Sequence, residues 1–156
     1  MEREKRELIA LQFFHKTNFL ILCYYWQKHK FWSLMLYRIL VINPKYEKTK
    51  IAVYENEQEI FLKTIYHSSD DLIPYKKVCD QMEFRKRLIT TELMNNELMM
   101  DFNAIVGVGG LVKPIRSGTY EVSERLKEDL RKGQQGEDAC NLGGLIAAEI
   151  ASSIPG

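Results

Sequence analysis

Three apolar, β-branched runs stand only a few residues apart between positions 37 and 66. No other feature restricts the fold as much. Strands joined by connections this short pair antiparallel, because a parallel return needs a dozen residues or more. The runs cover residues 37–43, 49–54 and 58–66. Pro44 ends the first, and Glu55-Asn56-Glu57 is a polar break of turn length between the second and third. They predict an antiparallel meander.

The period changes after position 73. Val78, Met82, Phe84, Arg85, Leu88, Ile89, Leu93 and Leu98 approximate a one-faced helical stripe, predicting a helix within residues 73–100. Residues 103–107 form a fourth apolar run, suited to a strand buried on both faces. A glycine loop, Gly107-Val108-Gly109-Gly110, follows it. Ser123 caps a further helix that reaches about Lys132 and stops at Gly133. A last helix is predicted over 138–152, with Gly143, Ala147 and Ala151 along one edge for close packing. The order is βββαβαα in an α/β unit. Its first three strands should be antiparallel, with the fourth parallel to the first.

With 156 residues the chain has room for one domain with a core, and too few for two full ones. A net charge of +1 argues against general nucleic-acid binding, which needs a basic surplus. Cys23, Cys79 and Cys140 are odd in number and scattered, so they form no disulfide framework, and a reducing cytoplasm is the expected setting. His15, His29 and His67 are scattered too, and no metal site is assigned.

Residues 1–36 differ from the rest. They hold six Lys/Arg against three Asp/Glu and both tryptophans. The apolar run 19–26 is far short of the roughly 20 residues that span a bilayer. Three readings stay open: a basic aromatic segment on a membrane surface, a helix packed on the domain, or an extension with no evolved role. The last is favoured, because Met35 sits just before the first regular strand. The domain division is therefore an extension over 1–36 and a folded unit over 37–156.

Several stretches taken in order resemble the butyrate kinases. They are residues 37–44 (Tyr-Arg-Ile-Leu-Val-Ile-Asn-Pro), 49–54 (Thr-Lys-Ile-Ala-Val-Tyr), 80–85 (Asp-Gln-Met-Glu-Phe-Arg), 109–115 (Gly-Gly-Leu-Val-Lys-Pro-Ile), 118–120 and 141–147 (Asn-Leu-Gly-Gly-Leu-Ile-Ala). The similarity runs over nearly all of 37–154, the N-terminal part of such enzymes. It implies a ribonuclease H-like, actin-like ATPase domain, here incomplete. It also implies phosphoryl transfer between ATP, with Mg²⁺, and butyrate or a related short or branched carboxylate, giving an acyl phosphate.

By the same resemblance, Asn43 and Lys50 belong to the phosphate- and magnesium-facing turn, and Gly109, Gly110 and Asn141 to the substrate cleft. Each has a plainer reading: a turn-forming Asn-Pro for Asn43, an exposed strand lysine for Lys50, a tight turn for the glycines, a helix cap for Asn141. No catalytic residue is assigned. The chain also departs from the family. Lys45, Tyr46, Glu47 and Lys48 replace a glycine and small hydroxyl residues, with an expected strain cost at Lys45 if the turn needs positive φ. Val108 stands where the family has arginine, Asp138 where it has histidine, and Cys140 where it has serine. The sequence is less than half as long as family members. The expectation is a carboxylate kinase by family whose chain is inactive alone. The alternatives are a non-catalytic remnant, or a half-domain that pairs with a separate C-terminal half or forms homo-oligomers.

Overall fold

A computed structural model describes residues 8–12, 36–98 and 101–154. The meander is present: β2 (Arg38–Lys45), β3 (Lys48–Glu55) and β4 (Gln58–Tyr66) pair antiparallel in sequence order. The β3–β4 turn places Asn56 at φ 54, a left-handed position that asparagine tolerates.

A single helical turn, α1 (Ser69–Leu72), follows, closed by reciprocal hydrogen bonds between Ser68 and Asp71. The predicted long helix does not begin at 73. Pro74 lacks the N–H a continuing helix needs, and a 3₁₀ turn, Val78–Gln81, intervenes. The main helix is α2 (Met82–Asn95). It ends in a Schellman arrangement: Leu98 N–H donates to Leu93 O, Glu97 N–H donates to Met94 O, and Glu97 takes φ 55.

β5 (Ala104–Val108) then pairs parallel with β2, as the sequence predicts. A short strand, β6 (Thr119–Glu121), precedes α3 (Glu124–Lys132) and α4 (Leu142–Ser153). The α3 ends match expectation: Ser123 Oγ accepts from Leu126 N–H, and Gly133 takes φ 59. The last helix is shorter at its start than 138–152, because residues 139–141 form a 3₁₀ turn capped by Asp138.

The observed order therefore contains the predicted βββαβαα with two further strands. One is β6. The other is β1 (Leu8–Gln12), which lies between β5 and β6, parallel to the first and antiparallel to the second. The division drawn at position 36 thus leaves a strand of the sheet on its far side. The other features of 1–35, including the run 19–26, lie outside the described residues. The sheet order is β4-β3-β2-β5-β1-β6.

One face of the sheet carries the main core. Leu40, Ile42, Ile51, Val53, Ile65 and Ile105 pack beneath Ile89 and Leu93 of α2 and Leu142, Leu145, Ile146 and Ile150 of α4. The opposite face carries a smaller set, Val41, Ala52 and Val106, with Ile39, Tyr54 and Val108 around it. Strand alternation assigns each neighbour to one face or the other, and this division places the site residues. Among the described residues no helix is long and apolar enough to cross a membrane.

Candidate active site

Three segments converge where β2, β5 and α4 meet. Gly107, near the end of β5, lies so close to the start of α4 that a Cβ there would stand 2.3 Å from Gly143 C and 2.4 Å from Gly144 N. A Cβ on Gly143 would meet Val108 N and O at 3.1 Å and Pro44 Cδ at 3.4 Å. Glycine at both positions lets the strand end, the helix start and the Asn-Pro turn come together.

The β2–β3 turn is tight, with Lys45 paired to Lys48 and only Tyr46 and Glu47 between them. None of the four has positive φ. The strain cost expected for Lys45 in place of glycine is therefore absent, because this turn keeps its residues in right-handed or extended backbone. Asn43 and Lys50 are direct partners in the ladder. By alternation they share the face of Val41 and Ala52, whereas Thr49 points to the α2 side. The Asn43 side-chain oxygen is buried and has no hydrogen-bond partner among the described residues.

A buried polar network holds the turn from below. Arg85 is 1% exposed and has no carboxylate partner among the described residues. Its Nη1 donates to Lys45 O at 2.9 Å and Thr49 Oγ1 at 3.0 Å, and its Nη2 donates to Tyr46 O at 2.8 Å. Gln81 Oε1 accepts from Nε at 3.1 Å and Nη2 at 2.8 Å. Burial pushes the Arg85 pKa down to about 10, so the group stays cationic at neutral pH. Thr49 Oγ1 lies 2.9 Å from His67 Nε2. Burial first, then the Arg85 charge, pushes the His67 pKa down to about 4, so the imidazole is neutral at pH 7. On sequence alone Arg85 has a place in the helical stripe and in the stretch 80–85, Thr49 a place in the stretch 49–54, and His67 no role; none is marked as a site residue. A basic residue within an otherwise apolar stripe was the available signal.

The glycine loop is positioned from the other side. Gly109 and Gly110 take φ 92 and 132, and a Cβ on Gly109 would stand 2.9 Å from Cys140 Cβ. Only glycine suits Gly109 on both counts. Asn141 is buried; its Oδ1 accepts from Leu111 N–H at 2.7 Å and its Nδ2 donates to Gly136 O at 2.8 Å. Those bonds tie the glycine loop to the turn before α4. Asp138 accepts from Cys140 N–H at 2.8 Å, which holds its carboxyl below the usual range. Burial, with Asp138 beside it, pushes the Cys140 thiol up to about 11, far from a thiolate at neutral pH. Among the described residues no three His, Cys, Asp or Glu side chains converge as a metal site.

The structure brings Asn43, Lys50 and the turn backbone to one side, with Val108 ending the adjacent strand and Gly109 following it. Asn141 stands behind them as a brace. The fold and this convergence define the class: an incomplete α/β domain of the actin-like ATPase type, with a loop at the end of its first meander strand. No family model matches the chain. Among curated proteins it is 48% identical over 120 residues to butyrate kinase 1 of Clostridium acetobutylicum, covering 76% of this chain and 34% of that enzyme. It is 51% identical over 118 residues to a probable butyrate kinase of Bacteroides thetaiotaomicron, covering 76% of this chain and 33% of that protein. A probable butyrate kinase of Clostridium botulinum is 43% identical over 121 residues, 77% of this chain and 34% of that protein. The chain is thus related by sequence to the butyrate kinases, over their N-terminal part only. It spans about a third of the length of these curated relatives.

Proposed function

We propose that the chain represents the N-terminal part of an ATP-dependent carboxylate kinase of the butyrate kinase type, and that alone it does not turn over. The observation that carries this reading is the 43–51% identity to butyrate kinases across about three quarters of the chain. The reaction is transfer of a phosphoryl group from ATP to butyrate or a related short or branched carboxylate, in a cytoplasmic setting.

The polar groups at the turn suit phosphate oxygens: Asn43 stands at the strand end with Lys50 opposite, while Arg85, beneath the turn, donates to Gln81, Thr49 and the Lys45 and Tyr46 carbonyls and does not face the anion. They fit Mg²⁺ less well: Lys50 is the ladder partner of Asn43 and Lys45 pairs with Lys48 next along the hairpin, a cationic setting for a single side-chain carbonyl oxygen, and Mg²⁺ favours several oxygens in octahedral array. In this reading Asn43 and Lys50 orient the transferred phosphoryl group, while the Gly109–Gly110 loop shapes the cleft in which the carboxylate approaches in line. Val108 cannot supply the charge stabilisation an arginine would. The matched residues span about a third of the relatives' length, and phosphoryl transfer needs groups on both sides of the nucleotide, which supports the reading that this chain alone does not turn over.

The purified chain should form no hydroxamate-trappable acyl phosphate from ATP, Mg²⁺ and butyrate. A fusion to the C-terminal two thirds of a butyrate kinase should form it once the turn and Val108 are restored to glycine, small hydroxyl residues and arginine. Turnover by the unfused chain that Asn43→Ala abolishes would refute the inactivity. A restored fusion without activity would refute the kinase assignment. A second reading, a half-domain completed by a separately encoded C-terminal half, follows from the same one-third coverage. Co-purification with such a half would favour it.

A further inference from the structure

Among the described residues Arg85 is buried without an acidic partner, and its charge is met by oxygens of the turn, Gln81 and Thr49. Burying an unpaired cation is costly. An apolar side chain would fill the same core position at less cost, so the arrangement points to a task beyond packing.

The direction of the bonds identifies that task. Lys45 O and Tyr46 O both point down to the guanidinium. In a trans peptide the C=O and N–H are antiparallel. The Tyr46 and Glu47 amides of those same peptides therefore point away from α2. That is the side where Asn43 and Lys50 lie. Neither amide donates to another backbone group among the described residues.

We propose that Arg85 is the positioning residue of the phosphate-facing turn: by gripping the carbonyls of Lys45 and Tyr46 it aims the amides of Tyr46 and Glu47 at an anion on the opposite side. This deepens the kinase reading and rests on it. The grip acts on main-chain atoms, so it does not depend on which side chains occupy 45–48. The departures from the family at Lys45, Tyr46, Glu47 and Lys48 thus leave the backbone cradle standing. Arg85 and Thr49 also lie in two of the stretches that resemble the butyrate kinases.

The test uses the full chain, ¹⁵N-labelled and titrated with inorganic phosphate. In the wild type the Tyr46 and Glu47 amide signals should shift on titration. In Arg85→Met the shifts should need at least about tenfold more phosphate, the loss of one charge-assisted contact. Arg85→Lys should fall between, because a lysine keeps the charge and loses the fork. Protection of Ala52 and Val53 amides from exchange reports whether each variant retains the hairpin. If Arg85→Met does not fold, the comparison rests on Arg85→Lys. Equal titration of a folded Arg85 variant and the wild type overturns the proposal. So does a wild type whose two amides ignore phosphate. A restored fusion that makes no acyl phosphate while the amide response still depends on Arg85 overturns only the kinase reading.

Discussion

Gly107→Ala offers a severe test of the packing that builds the cleft. The new Cβ would stand 2.3 Å from Gly143 C, 2.4 Å from Gly143 O and 2.4 Å from Gly144 N. All three obstructing atoms are backbone, so no side chain can swing aside. Relief requires α4 to lift from β5 by about 1 Å, which would forfeit a quarter to a half of the dispersion well along that contact. Leu142, Leu145, Ile146 and Ile150 of α4 are all at most 2% exposed and would loosen with it. Overpacking of this kind costs about 1–3 kcal/mol, and the backbone obstruction places it near the top, about 3 kcal/mol. For a domain of this size that lowers Tm by roughly 6–12 °C.

Urea and thermal unfolding followed by circular dichroism would measure it, with Gly118→Ala as the control. A Cβ there meets only the Tyr120 ring, at 3.5 Å, so the change should stay within about 0.5 kcal/mol. Gly143→Ala, with contacts at 3.1 Å, should fall between. If Gly107→Ala unfolds like Gly118→Ala, the close approach of β5 and α4 is wrong, and with it the convergence on which the site is built.

Two further outcomes are expected. Lys45→Gly should destabilise the chain by about 0.5–1 kcal/mol in urea titration, since no positive φ exists for glycine to relieve and its unfolded state is freer; a stabilised variant would mean the turn is strained. For His67 the folded pKa of about 4 lies below the ordinary 6.5. The unfolded chain then binds the proton more readily, so this residue's contribution is complete above about pH 6.5 and is lost as pH falls towards 4. The difference is on the order of 3 kcal/mol. His67→Gln should flatten the stability–pH curve in that window relative to wild type, and parallel curves would contradict the buried neutral imidazole.

Much of the fold was legible along the chain because its causes are local. Alternation and short connections specify a meander; the Glu55-Asn56-Glu57 break punctuates it, whereas β2 does not stop at Pro44 but runs on to Lys45, with Pro44 paired to Thr49; Ser123 and Gly133 bound α3 by cap chemistry that involves neighbours a few residues away. The candidate positions Asn43, Lys50, Gly109, Gly110 and Asn141 were also visible, through the resemblance. What each does spatially was not. β6 has only three residues, too few for a period, and β1 pairs with β5 across a gap in which Leu8 meets Ala104. No local pattern encodes a partner so far away. Arg85 is the clearest case. Along the chain it is one helical residue among many. Only the packing of α2 against the β2–β3 hairpin brings its guanidinium under the carbonyls of Lys45 and Tyr46. The packing of α4 against β5 likewise brings Asn141 to brace the glycine loop. Local sequence determined which segments are strands, turns and helices, because backbone preference and hydrophobic period act over a few residues. Tertiary structure alone decided which polar groups meet, because a buried hydrogen bond depends on how distant elements pack.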